Sequence, residues 1–319
     1  MAAIECIEIL SPGLQTTVQD LGRFGFGRYG VAPSGALDPF ALRIGNLLVD
    51  NPENQACLET TLLGLRIKAL TDVLIAVTGA NLQPQVDKHP LEMWCSHILK
   101  KGQILSFIGP SSGCRSYIAV GGGIDIPPVM GSKSTSLPSG FGGFEGKALE
   151  AGAILFSDSP QAKLVAPQRK CEPKWIPTYP NKWIVRMIWG PQDDDFTEEG
   201  RQTFLKSSYE VSSESDRTGI RLLGPLIQRK ADIPESIISE GQISGNIQVP
   251  GDGKPIIILG ETVSGGYRKI ATVISADLPL LGQIRPGDEI NFKSISLDEA
   301  NQALRKMESR IQRFKRSCS

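Results

Sequence analysis

Residues 25–30 read GFGRYG, inside the longer stretch TTVQDLGRFGFGRYGVAPSGALD (16–38). The spacing is G-x-G-x-x-G, and its reading decides between two fold classes. In a dinucleotide-binding βαβ unit a strand ends at the first glycine, and the third glycine opens a helix whose amino end holds the pyrophosphate. Neither condition is met. The nearest earlier strand signals are IECIEIL (4–10) and TTVQ (16–19), and QDLGRF separates the second from Gly25. After Gly30 comes VAPSGALD, a turn, before helical periodicity begins near Pro39. No G-x-x-x-x-G-K-[ST] loop occurs elsewhere, so a conventional nucleotide cradle is not expected on this chain.

Working outward, short strand-like runs dominate. LRIKAL (65–70), DVLIAVTG (72–79), QILSFIG (103–109), RSYIAVGG (115–122), AILFSD (153–158), WIVRMIWG (183–190), KPIIILGE (254–261), KIATVIS (269–275) and EINFKSIS (289–296) are apolar or alternating. They are rich in β-branched residues and punctuated by Gly, Pro or Asp, which is the strand signature. Three helices are expected. Asp38-Pro39 supplies an N-cap and a first-turn proline, and Phe40, Ile44, Leu47 and Leu48 then share a face until Asn51-Pro52. A second helix runs from about Phe196 to Lys206, with Asp193, Asp194 and Asp195 placed to cap its start and compensate its dipole. The third is carboxy-terminal. Ser296 and Glu299 form a capping box there, and Leu297, Ala300, Leu304, Met307, Ile311 and Phe314 form an apolar stripe. Strands in long succession with isolated helices imply a mainly β, or α+β, protein. Ordered rhymes between the halves, such as LETTLLG against SEGQISG, point to two related domains, 1–165 and 175–319. The boundary is expected in the proline-containing stretch 159–182.

Composition narrows the function classes. Lys plus Arg and Asp plus Glu both number 34, so the net charge is zero and no nucleic-acid or membrane surface is implied. The six cysteines show no C-x-x-C and no Cys/His ligand spacing, which predicts neither a metal site nor a disulfide scaffold. MAAIECIEIL has no basic n-region ahead of an apolar run, and no apolar segment is long enough to span a bilayer. A cytoplasmic protein is the expectation.

Three segments carry chemistry. The first offers Gln19, Asp20, Arg23, Ser34 and Asp38 on a glycine-bent loop. Two readings stay open: a loop whose backbone N–H groups bind a carboxylate or carbamoyl oxygen, or a structural turn with Phe24, Phe26 and Tyr29 plugging a barrel end. The second, AVGGGIDIPPVMGSKSTSLPSGFGGFEGKAL (119–149), is too long for an idle connector. The third, QVPGDGKPIIILGETVSGGYRKIATVISAD (248–277), places Gln248, Ser264, Gly265, Gly266, Tyr267 and Lys269 around strand ends. Ser-Gly-Gly followed by Tyr and Lys suits an oxyanion-type cradle, with Lys269 as charge partner or acid–base group. Asp216 and Arg217, adjacent in SESDRTGIRL, are available to a polar substrate or to each other.

The ordered set that includes PGLQTTVQDLGRFGFGRYGVAPSGALDPFALRIGNLLVDNPE (12–53), YIAVGGGIDIPPVMGSKST (117–135), SDRTGIRL (215–222), NIQVPGDGKPIIILG (246–260) and TVSGGYRKIATVISADLPLLGQIRPGD (262–288) resembles one family. That family is variously called allophanate hydrolase subunit 2, KipA and the C-type subunit of 5-oxoprolinase, and it is similar to the carboxyltransferase domain of biotin-dependent urea carboxylase. The resemblance covers nearly the whole chain. It implies two cyclophilin-like β-barrel domains and a role within an ATP-dependent 5-oxoprolinase complex that opens the lactam to glutamate. The implied partners are a KipI-like chain and a LamB/YcsF-like chain. On that reading Lys269, Asp216 and Arg217 are the catalytic candidates. Gln19, Asp20, Arg23, Ser34, Asp38, Gln248, Ser264, Gly265, Gly266 and Tyr267 are the substrate-binding candidates. Two alternatives accompany it: a biotin-dependent carboxyltransferase acting on urea or a related amide, and a non-catalytic protein antagonising a KipI-like kinase inhibitor. No Met-Lys-Met biotinylation signature is present, since Lys306-Met307 lies in the amphipathic helix. No covalent cofactor is therefore expected on this chain; ATP is used by the complex, and biotin, where used, arrives on a partner chain.

Overall fold

The structure, a computed structural model, describes residues 3–158, Leu164 and 168–318. Part of the expected domain boundary (159–163 and 165–167) lies outside the described residues. The chain divides into two compact units: Met1–Arg23, Ser34–Tyr179 and Ser309–Ser319 form unit 1, and Phe24–Pro33 with Pro180–Glu308 form unit 2. Two segments thus group differently from the continuous halves read in the sequence: the GFGRYG loop with unit 2, and the last turns of the carboxy-terminal helix with unit 1.

Unit 1 contains strands β1 (Ile4–Pro12), β2 (Gln15–Gln19), β3 (Cys57–Thr61), β4 (Leu65–Ala69), β5 (Val73–Asn81), β6 (Pro84–Val86), β7 (His89–Pro90), β8 (Ser96–Leu99), β9 (Ile104–Phe107), β10 (Ser112–Val120) and β11 (Ile154–Ser157), with helix α1 (Pro39–Leu48). They form two sheets, in the orders β11-β1-β4-β9-β6-β7 and β2-β3-β10-β5-β8. Period-2 alternation explains how the second sheet is used. Val18, Leu58, Ile118 and Val77 pair in register across β2, β3, β10 and β5, and all are fully buried in the apolar core. Each contributes about 1.5–3 kcal/mol of burial. One residue along, the row Thr17–Glu59–Tyr117–Thr78 faces the other way, yet is also buried. Helix α1 lies on that polar face: Thr78 Oγ1 donates to the Ala41 carbonyl (2.7 Å), and Asp38 caps α1 by accepting from the Ala41 N–H (2.9 Å).

Unit 2 contains β12 (Lys182–Trp189), β13 (Ser208–Val211), β14 (Gly219–Leu223), β15 (Glu240–Gly241), β16 (Asn246–Val249), β17 (Ile256–Ile258), β18 (Ser264–Gly265), β19 (Arg268–Val273) and β20 (Glu289–Ser294). Seven of them close into a barrel in the order β12-β19-β16-β17-β14-β13-β20, and β15 pairs with β18 as a separate two-stranded ladder. The barrel is filled by apolar side chains. Ile220, Ile257, Ile247 and Ala271 pair in one row across β14, β17, β16 and β19, each no more than 3% exposed.

Helix α2 (Glu198–Lys206) is present, but the acidic run does not cap it. Asp193–Asp195 form their own 3-10 turn, and Thr197 Oγ1 accepts from the Gly200 N–H instead (2.9 Å). The carboxylates are drawn to cations: Asp195 to Arg268 Nε (2.6 Å) and Asp193 to Arg201 (3.1 Å). A short helix, α3 (Leu278–Leu281), has no sequence signal beyond Pro279. In α4 (Leu297–Cys318) the capping box forms as expected, with the Ser296 N–H on Glu299 Oε2 (2.8 Å) and the Glu299 N–H on Ser296 Oγ (3.2 Å). Its last turns pack in unit 1. Phe314 meets Trp175 edge-on at 6.0 Å between centroids, and Lys315 reaches Glu53 (2.9 Å).

Candidate functional site

The residues singled out in the sequence fall into two groups, one in each unit. In unit 1, Gln19, Asp20 and Arg23 converge on the second glycine-rich segment. Gln19 Nε2 donates to the Thr135 carbonyl (3.1 Å). The Asp20 carboxylate accepts from Ser132 Oγ (2.6 Å), Ser134 Oγ (2.5 Å) and the Lys133 N–H (2.6 Å). Arg23 donates to the Ser134 carbonyl and stacks 4.8 Å above the Phe141 ring. Gly142, at φ +72°, passes so close to Arg23 and the Ser134 carbonyl that a Cβ would collide with both. These side chains hold the 131–146 loop closed over the sheet. Asp38 and Ser34 are both buried in unit 1, Asp38 as the cap of α1.

Beside Asp38 lies a group that the sequence reading passed over. Tyr117 Oη accepts from the Asp38 N–H (2.8 Å) and donates to Glu59 Oε2 (2.7 Å), while Tyr179 Oη donates to Asp38 Oδ2 (3.1 Å). Burial, reinforced by the adjacent carboxylates, pushes both phenols well above the usual tyrosine range. Phe24 and Tyr29 do not plug a barrel end: Phe24 is 70% exposed, and Tyr29, on a 3-10 turn over Gly27–Tyr29, is 65% exposed, while Phe26 is half-buried.

In unit 2 the arrangement is different. Arg221, Ile256, Gln248 and Lys269 pair in one row across β14, β17, β16 and β19, on the barrel face opposite the apolar filling. A bulge in β19 makes this possible. Ile247 pairs with Ala271, but the next residue, Gln248, pairs with Lys269, so Ile270 is skipped and Lys269 shares the face of Gln248. The Lys269 ammonium is buried and donates to Glu240 Oε2 (2.5 Å), which also accepts from Gln192 Nε2 (3.1 Å). The hydrogen bond from Lys269, aided by its charge, holds the Glu240 carboxyl below the usual range. Glu240 sits on the β15–β18 ladder opposite Gly265, which brings Ser264 and Gly265 over the same face. Gly265 packs closely there: a Cβ would approach Gln248 Nε2 to 2.6 Å and Gln242 Nε2 to 2.9 Å and would have to displace those amide ends.

Gln248 is the distinctive member. Its side chain is 4% exposed, and Nε2 is buried with no hydrogen-bond partner among the described residues. Buried amide N–H groups are almost always satisfied, so an orphan beside a cavity marks a place for an acceptor. The cavity is a groove of about 650 Å³ running over β14 and β17, lined among others by Gln248, Tyr267, Asp216 and Arg221. Asp216 lines its rim, but its carboxylate accepts from the Thr218 and Gly219 N–H groups (2.7 and 3.1 Å) and closes a turn. Arg217 points elsewhere and donates to Glu261 through Nε (3.1 Å) and Nη2 (3.0 Å), both partners buried. The adjacent acid and base therefore serve separate structures. Gly266 is tied by its carbonyl to the Ile237 N–H (2.8 Å).

A sequence profile of the carboxyltransferase domain, subdomain A and B, matches residues 29–294. The chain belongs to this carboxyltransferase-domain family. Among relatives, it is 39% identical over 298 residues to the C-type subunit of 5-oxoprolinase from Escherichia coli, covering 93% of this chain and 94% of that one. It is 33% identical to urea amidolyase of Saccharomyces cerevisiae over 92% of this chain and 17% of that protein. Among solved structures, Kluyveromyces lactis urea carboxylase superposes with a TM-score of 0.91 at 31% identity, over 98% of this chain and 29% of that one.

In this carboxyltransferase-domain protein, Glu240, Gln242, Asn246, Arg221 and Lys254 belong to the neighbourhood of Gln248 but were missed. Asn246 Nδ2 donates to Gln242 Oε1 (2.8 Å), and Thr272 Oγ1 donates to Asn246 (3.1 Å). The available signal was GQISGNIQV, where Asn246 and Gln248 alternate with Ile247 and Val249. Among the described residues, no group of three or more His, Cys, Asp or Glu is placed to hold a metal ion, and no helix is long and apolar enough to cross a membrane.

Proposed function

We propose that this chain is the amide-binding component of an ATP-dependent 5-oxoprolinase, which opens the lactam of 5-oxoproline to glutamate. The observation that carries the reading is the orphan Gln248 N–H, buried at the wall of the groove one strand away from Lys269. The 39% identity to a 5-oxoprolinase component directs the choice of substrate. In this reading Gln248 donates to the lactam carbonyl oxygen. Lys269, oriented by its hydrogen bond to Glu240, stabilises the negative charge that grows on that oxygen as the ring opens. The Ser264–Tyr267 segment closes over the amide. KipI-like and LamB/YcsF-like partners complete the enzyme, and ATP chemistry belongs to them.

The test is reconstitution with those two partners, following ATP-dependent glutamate release. Turnover that needs this chain, and that falls in Lys269→Ala while the variant stays folded at the assay temperature, supports the proposal. Unchanged turnover when the chain is omitted ends it. A chain that binds the KipI-like partner tightly without altering turnover would be an interaction protein instead.

The likeness to urea carboxylase structures favours a second reading, carboxyl transfer to urea or a related amide. The Gln248 donor also fits a ureido carbonyl, so biotin carried by another chain would present its ring here and supply the carboxyl group. Carboxylation of urea by this chain with a biotinylated partner, and no glutamate release from 5-oxoproline, would select it.

A further inference from the structure

The groove has a second end, and its chemistry differs from that at Gln248. Arg221 is exposed on β14, two strands away in the same row, and Lys254 follows the PGDG turn on the adjoining rim. Neither cation has an ion-pair partner among the described residues. Three carboxylates also border the groove, Glu214, Asp216 and Asp252. Two of them are occupied by turns: Asp216 accepts from the Thr218 and Gly219 N–H groups, and Asp252 Oδ1 accepts from the Lys254 N–H (3.1 Å). With more acids than bases the groove is no general sink for anions. Selection for an anion must come from placed donors.

We infer that Arg221, assisted by Lys254, is a carboxylate anchor that fixes one end of the ligand while Gln248 takes its amide carbonyl. This inference rests on the 5-oxoprolinase reading and deepens it, because a lactam carrying a ring carboxylate has both groups. Two strand spacings, roughly 9–10 Å, separate the Arg221 and Gln248 backbones. The two side chains and a small bifunctional ligand can close that span. Gly219, beside Arg221 on the same strand, leaves the floor low. A Cβ there would approach Ile256 Cγ2 to 3.1 Å. Ile256 lies between the two polar ends and offers an apolar surface to the ring methylenes. A neutral amide such as urea would use the Gln248 end and gain nothing from Arg221. The anchor therefore separates lactam acids from neutral amides.

The experiment measures binding of 5-oxoproline and of 2-pyrrolidinone, the same lactam without its carboxylate, to the full chain by ligand-observed NMR. Arg221→Gln, Lys254→Gln and Arg221→Lys are compared with the wild-type protein. The wild-type chain is expected to prefer 5-oxoproline about tenfold to a hundredfold, the range of a charge-assisted hydrogen bond. Arg221→Gln should remove that preference without weakening 2-pyrrolidinone, Lys254→Gln should remove part of it, and Arg221→Lys should restore part. In the reconstituted complex the same loss should appear in KM for 5-oxoproline, with kcat within about threefold. No preference in the wild-type chain, or an undiminished preference in the Arg221→Gln, Lys254→Gln double variant, overturns the anchor. Equal weakening of both ligands in Arg221→Gln overturns it as well. Failure of the 5-oxoprolinase reading is seen separately, as glutamate release that does not need this chain.

Discussion

Arg217 reads in the sequence as a catalytic candidate, and Arg217→Met decides whether its work is instead structural. The guanidinium is 5% exposed and donates through two nitrogens to one oxygen of Glu261, itself buried, at 3.1 and 3.0 Å. Methionine keeps much of the aliphatic stem and removes the charge. The Glu261 carboxylate then stays in the interior without its main counter-charge, a loss of about 3–5 kcal/mol for a broken buried pair. At about 2–4 °C per kcal/mol, the thermal midpoint should fall by roughly 6–20 °C. The assay is thermal unfolding followed by circular dichroism, with turnover of the reconstituted complex measured well below the variant's midpoint. Adding Glu261→Leu to Arg217→Met should recover most of the loss, because an apolar replacement of a whole buried pair is often neutral. A midpoint within about 1 °C of the wild type, with turnover abolished, would refute the structural assignment and return Arg217 to the catalytic group.

Gln248→Leu should leave the midpoint unchanged or raise it, since it removes a buried unsatisfied donor worth about 1–3 kcal/mol, while kcat/KM falls at least about tenfold; a stability loss with normal turnover would remove Gln248 from the site. Tyr117 and Tyr179 are raised well above the ordinary phenol range, and burial pushes Tyr209 up to about 12. The folded protein thus keeps protons that the unfolded chain releases above about pH 10. Stability should be insensitive to these groups below that pH and should fall as pH rises past it. Their phenolate absorbance should appear only together with loss of near-ultraviolet circular dichroism, and early ionisation in the native protein would contradict the burial argument. Ser296→Ala breaks the capping box of α4 and should cost about 1 kcal/mol in urea unfolding; no change would mean that water replaces the cap.

Much of the fold was readable because its signals are local. Asp38-Pro39 and Ser296 with Glu299 announced two helix starts through hydrogen bonds spanning three residues, and both starts form as read. Apolar, β-branched runs such as DVLIAVTG and KIATVIS announced strands for the same reason. The errors came where a nearby alternative overrode the local rule. Asp193–Asp195 sit ahead of α2, yet Arg201 and Arg268 took their charges and left the cap to Thr197. Exposure of Phe24 and Tyr29 had no signature, since aromatic residues next to glycines read alike inside a barrel and on its surface.

The candidate site was readable only in pieces. Gln248 and Lys269 were both singled out, but nothing in QVPGDGKPIIILGETVSGGYRK says that they are neighbours. That follows from the skipped Ile270, which shifts register by one residue and turns Lys269 onto the face of Gln248. Glu240 reaches Lys269 from a ladder 29 residues away in sequence. In unit 1, Gln19, Asp20 and Arg23 meet a loop more than a hundred residues downstream, which turned candidate ligands into a clasp. By itself the sequence determined the β-rich class, the helix starts and the absence of a dinucleotide fold around GFGRYG, all set by hydrogen bonds and periodicities a few residues long. Which polar groups share a face, which carboxylates are already paired and which amide is left with an empty donor were decided by the tertiary structure. Those depend on strand order and register, set by closing the barrel and burying its core.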